Sequence, residues 1–192
     1  MKTTGRWLLA LGIAMTADLQ AGPFDETLVK ANGGDLTAQM EAGNAYAKGL
    51  GVEKNPKEAV AWYEKAADQG NADAQLALGN LLIGGKGVPR DSKRAASYFL
   101  LAADQGKTAA QVQMARMLLS GAGVAKNERN AYMWAKIASE QGDKSAKPIL
   151  SRLSSQMPKQ EIIMAEAAAK DYLAKKTSDD AGKGVPPVAP PL

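Results

Sequence analysis

The chain has 192 residues, of which 45% are hydrophobic but only 5% aromatic, and its formal net charge is +4. Alanine supplies much of the apolar content, which suits closely packed helices better than a sheet core of β-branched and aromatic residues. The sequence has no cysteine and no histidine, which excludes disulfides, thiolate chemistry, Ser-His-Asp and Cys-His catalysis, and the commonest transition-metal ligand.

The chain opens with Lys2 and Arg6 and no acid, followed by an unbroken apolar run from Trp7 to Met15 that ends at Asp18. A basic start, a short apolar run and small residues near its end predict a secretory signal peptide over 1–21. Cleavage is expected after Ala17 or Ala21, with Ala21 preferred. The run falls well short of the ~20 apolar residues a spanning helix needs, so no stable membrane insertion is expected after cleavage. Next, Phe24, Leu28 and Ala31 share one face of a short helix that starts at Pro23 and is stopped by Asn32-Gly33-Gly34. This segment, 22–33, is expected to cap the first repeat.

From Gly34 the chain repeats. Glycine recurs at Gly34, Gly70, Gly106 and Gly142, each 36 residues after the last. Ala38/Ala74/Ala110, Gly51/Gly87/Gly123, Trp62/Tyr98/Trp134 and Gln69/Gln105/Gln141 follow at the same offset. A fixed period in this range predicts an all-α solenoid of about three helix-turn-helix repeats, 34–69, 70–105 and 106–141, each buried by its neighbours. Asp35 and Asn71 are expected N-caps of the first helices, a role that Lys107 breaks; Asn55, Asp91 and Asn127 are expected to cap the second helices. Each second helix should end at Gln-Gly, the glycine taking the left-handed position. Ala38-Ala42-Tyr46, Ala74-Leu78-Leu82 and Ala110-Met114-Leu118 form the buried stripe of the first helices. Gly43 and Gly79, with Ala115 in the third unit, should let helix backbones approach closely. Trp62, Tyr98 and Trp134, each between two alanines, are expected to be packing residues.

Beyond Gly142 the pattern decays. A helix is expected from near Pro148 to Gln156, and another from Lys159 to Lys176; together 142–176 would form the C-terminal cap. The remainder, 177–192, is Gly/Pro-rich and predicts a disordered tail.

Several of these positions carry a family resemblance. Asp73-Ala74-Gln75-Leu-Ala-Leu-Gly79, then Gly85-Lys-Gly87-Val88, Ala95, Tyr98, Ala102-Ala103 and Gln105-Gly106 resemble the Sel-1-like repeat, a relative of the tetratricopeptide repeat. Met157-Pro-Lys-Gln-Glu-Ile162 resembles a closing segment of many bacterial members. The resemblance implies a right-handed superhelix that binds proteins or peptides in its concave groove, and a place among exported envelope proteins. A cysteine-rich branch linked to β-lactam hydrolysis has paired cysteines that this chain lacks, so nothing carries over from it.

The Gly-x-Gly loops lack the third glycine of a dinucleotide fingerprint and are read as turns. No catalytic, cofactor or metal residue is expected. Basic and acidic residues alternate along the chain, so nucleic acid is not the expected partner. The positions beside the buried stripe do vary between units: Thr37, Glu41, Asn44 and Lys48; Asp73, Ala77, Asn80 and Gly84; Ala109, Gln113, Arg116 and Ser120. Of these, Thr37, Glu41, Asn44, Lys48, Asp73, Asn80, Gln113 and Arg116 are the candidate contacts to a protein or peptide partner. The reading is an exported envelope adaptor; the alternative is an envelope enzyme or enzyme regulator acting on peptidoglycan or another polysaccharide.

Overall fold

The computed structural model describes residues 22–182; the expected signal over 1–21 and residues 183–192 of the expected tail lie outside the described residues. The described residues are helical almost throughout and contain no strand. A first helix, α1 (Pro23–Asn32), is followed by three helix pairs: α2 (Leu36–Lys48) with α3 (Pro56–Asp68), α4 (Ala72–Gly84) with α5 (Ser92–Asp104), and α6 (Thr108–Ser120) with α7 (Glu128–Glu140). A short 3₁₀ turn (Lys144–Ala146), α8 (Lys147–Gln156) and α9 (Lys159–Gly182) complete the chain. The fold is the α-solenoid that the period predicts.

The caps explain where the helices start. Asp35 and Asn71 accept the backbone N–H of Ala38 and Ala74 at 2.7 and 2.8 Å. Asn55, Asp91 and Asn127 do the same for the second helices. Lys107 makes no side-chain cap, as its chemistry requires. The predicted end of α9 at Lys176 is too early. Nothing from Thr177 to Ala181 is a glycine or proline, and the hydroxyls of Thr177 and Ser178 donate to the carbonyls of Ala174 and Lys175 within the helix. The helix therefore runs to Gly182.

Each first helix packs on its own second helix and on the second helix of the preceding unit. Ala38, Ala42, Ala74, Leu78, Leu82, Ala110, Met114 and Leu118 are buried, as the stripe predicts, while Tyr46 is half-buried, edge-on to Phe24 at 5.3 Å. The role of Gly43 and Gly79 differs from the expectation of backbone against backbone. A Cβ on either would stand 2.6 Å from the ring of Tyr63 or Phe99. The glycines thus receive aromatic faces. Tyr63 and Phe99 are buried; the third unit has Ala115 and Ala135 at the same two places.

A second feature at the same period ties units together. The side-chain amide nitrogens of Gln39, Gln75 and Gln111 donate to the carbonyls of Ala31, Ala67 and Ala103, in the last turn of the preceding second helix. Gln69 and Gln105 then donate to Gln39 and Gln75 at 2.7 and 2.8 Å. These buried amides are satisfied on both sides, as buried polar groups should be. In the third unit the Oε1 of Gln111 is buried with no hydrogen-bond partner.

The C-terminal end is not one more hairpin. α9 packs along α7 rather than against α8. Arg129 forms a two-bond ion pair with Glu161, one bond at 3.0 Å, and the Tyr132 hydroxyl donates to Glu166 at 3.0 Å. The rings of Trp134 and Tyr172 meet edge-to-face at 5.2 Å. Further along, Tyr172 and Lys176 donate to the carbonyl of Asp104, at the end of α5. Burial, and after it the Asp104 carboxylate, push the Tyr172 hydroxyl pKa far upward, so it stays a donor. Trp134 is therefore buried on all sides; Trp62 is buried with the Lys65 ammonium 3.8 Å from its ring centre. Tyr98, expected to be buried like them, is half-exposed, and Arg94 lies over its ring at 5.9 Å.

Candidate functional site

The first helices α2, α4, α6 and α8 present the face on which the variable positions lie. Successive first helices carry side chains 36 residues apart at equivalent places, so the face is a set of columns crossing the repeats. The buried stripe fixes which side points outward, and the positions flanking it are left to solvent.

Thr37, Glu41 and Lys48 are exposed on α2, whereas Asn44 is half-buried and accepts the Tyr63 hydroxyl at 2.9 Å. Asn44 is thus committed to the ring that fills Gly43. Asp73 is exposed but ion-paired with Lys107 at 2.7 Å, across the junction between units. Asn80 is exposed and Gln113 half-buried. Arg116 is exposed and joins Ser120, Leu119, Ser145, Pro148, Ile149 and Arg152 around a cleft of 570 Å³ between α6 and α8. The candidate residues therefore divide. Asn44 and Asp73 already have partners; Arg116 lines open space.

Arg152 was not singled out in the sequence. Its signal is its offset, since it stands 36 residues after Arg116 in the segment where most of the repeat has decayed. Asp143 is the carboxylate nearest in sequence to this cleft. The Ser145 hydroxyl and backbone N–H donate to it at 2.6 and 2.8 Å and hold its pKa below the usual range, with Arg116 adding a smaller pull.

A second cleft of 510 Å³ lies where the start of α7 faces the α8–α9 link, lined by Lys126, Asn127, Glu128, Arg129, Met157, Pro158 and Glu161 among others. Its two carboxylates are both engaged, Glu128 with Lys126 and Glu161 with Arg129. A glycosidase-type site needs an acid and a base free to meet a substrate; both of these carboxylates line the cleft but are ion-paired to the cations beside them. A smaller cleft of 250 Å³ lies beside Val60, Leu82, Val88 and Pro89. Among the described residues no group of acidic, histidine or cysteine side chains is arranged to hold a metal. No helix among them is long and apolar enough to cross a membrane.

Comparison with known proteins agrees with this architecture. The Sel1 repeat matches residues 36–71, 72–107 and 108–143. A Sel1 repeat protein from Oxalobacter formigenes is 35% identical, with a TM-score of 0.60, covering 66% of this chain and 96% of that one. The protective antigen c5321 of uropathogenic Escherichia coli, which displays an SLR fold, is 25% identical with a TM-score of 0.53; the match covers 88% of this chain and 45% of that one. Cysteine rich protein B of Helicobacter pylori shares the fold at 19% identity, with a TM-score of 0.53 over 68% of this chain and 98% of that one. Comparison with curated proteins returns no match.

Proposed function

The chain belongs to the Sel1 repeat family, and on that premise we propose that it is an exported scaffold of the cell envelope that holds a protein or peptide on the face formed by α2, α4, α6 and α8. Proteins built from Sel1 repeats are protein-interaction scaffolds. The observation that carries the reading to one face is the contrast between the two sides of the stack. On the second-helix side α9 covers α7. On the first-helix side the stripe stays apolar in every unit while the residues beside it change in polarity and charge, and the cleft between α6 and α8 is open. A constant frame with variable outward residues is how solenoids build recognition surfaces. Export rests on the basic start and apolar run of residues 1–21.

The test is site-specific photo-crosslinking in cells. A crosslinker at Glu41 or Asn80, on the first-helix face, should give a defined protein adduct, and one at exposed Ile163 on α9 should not. Adducts from Ile163 alone would place the partner on the other side. No adduct from any position, with an Asn44/Asn80/Arg116 triple substitution behaving as wild type, would remove the adaptor reading.

A further inference from the structure

We propose that Arg116 and Arg152 form a two-pronged receptor for an acidic segment of a partner protein, with carboxylates flanking an aliphatic side chain. The inference rests on the reading of the first-helix face as the binding face, and names the chemistry that it recognises.

Four observations carry it. First, Arg116 and Arg152 occupy one column, a single repeat apart, where the two earlier units have the neutral amides Asn44 and Asn80. Both line one cleft, so two guanidiniums in one column can each hold a different carboxylate of one extended segment. Second, neither arginine forms an ion pair among the described residues. Arg94 and Arg129, by contrast, are tied to Glu64 and Glu161. Third, α6 and α8 contain three cations, Arg116, Lys147 and Arg152, and no Asp or Glu at all. Elsewhere in the chain basic and acidic residues alternate, so this cleft departs from the general pattern. The flanking carboxylate, Asp143, is held chiefly by Ser145, with Arg116 adding only a smaller pull and no ion pair. Fourth, Leu119, Pro148 and Ile149 line the same cleft as the two arginines.

The guanidinium fork suits a carboxylate because it can donate two parallel hydrogen bonds to it. An apolar lining lowers the local dielectric and strengthens that pairing relative to open water. The same lining disfavours a nucleic acid. No aromatic ring lines the cleft, so bases would find no stacking platform. An aliphatic side chain between two acids fits both the lining and the charge.

The experiment uses the full chain and fluorescence anisotropy with two synthetic peptides, one alternating Glu and Leu, the other alternating Gln and Leu. The Glu peptide should bind, weaken as salt rises, and bind at least about tenfold better than the Gln peptide. Arg116→Gln with Arg152→Gln should abolish that preference without moving the melting temperature, since both side chains are exposed. Arg116→Lys with Arg152→Lys should keep the preference in weakened form, because charge remains while the fork is lost. Equal binding of the two peptides, or an unchanged preference in the Gln variant, would overturn the proposal. So would a single-stranded oligonucleotide that displaces the Glu peptide and binds more tightly, since that would mark a polyanion surface. If neither peptide binds while crosslinkers at Glu41 and Asn80 still capture a protein, the arginine receptor fails and the face assignment stands. If the Glu peptide binds through the arginines while those crosslinkers capture nothing, the receptor stands and the wider face fails.

Discussion

The first and third repeats share a backbone and reach it by different packing. In the first, Gly43 makes room for the Tyr63 ring, and the outer side of α3 meets solvent. In the third, Ala115 faces the place taken by Ala135, and α7 is covered twice, by α6 and by α9. Five consecutive residues of α7, Ala131 to Ala135, are buried in consequence. Place in the stack, as much as the repeat pattern, therefore decides which side chains lie in the core.

This contrast can be broken experimentally, and the tryptophans offer the largest effect. Trp134→Ala should cost about 4–5 kcal/mol and Trp62→Ala about 3 kcal/mol, measured by denaturant unfolding. Amide exchange along α9 should rise only in the first variant, because only Trp134 meets Tyr172. Equal losses with no change in α9 would mean that α9 adds nothing to the third repeat.

The loop glycines come next. Gly51 and Gly123 both have positive φ, +69° and +76°. A Cβ on Gly51 would meet nothing, whereas on Gly123 it would stand 2.2 Å from the Ser92 carbonyl oxygen, at the start of α5. Gly51→Ala should therefore cost about 1 kcal/mol, from left-handed backbone strain, and Gly123→Ala about 3 kcal/mol or more. Thermal melts that moved equally would show that the loops of successive units do not bear on one another.

The glutamines give the smallest effect. Gln69→Ala strips a donor from buried Gln39 and should cost about 1–2 kcal/mol. Gln141→Ala should stay within about 0.5 kcal/mol of wild type, because no matching bond reaches Gln111. A large loss at Gln141 would show that the third unit forms this bond in solution.

The same contrast explains what the sequence disclosed. Caps, turns and the first-helix stripe depend on residues close in the chain, so Asp35, Asn55 and the Ala74-Leu78-Leu82 stripe were readable from spacing. Tyr63 and Phe99 were not, because their burial depends on a glycine across the helix pair. The period puts Tyr98 in register with Trp62 and Trp134 but does not mark its half-exposure. The docking of α9 on α7 is tertiary and leaves no periodic mark. Arg116 stood out as one residue of a variable strip. Arg152 was hidden, because Lys147 and Pro148 break the pattern just before it.

The reach of α9 gives the molecule a direction. The helix is fixed to the third repeat at Arg129 and Trp134, and to the end of the second at Asp104. An extra repeat inserted after α5 would separate those anchors, so the chain is closed to lengthening there. One inserted before α4 would leave every anchor in place. The stack thus has one end at which units can be added or lost and one whose length is set, and the arginine cleft lies at the end whose length is set.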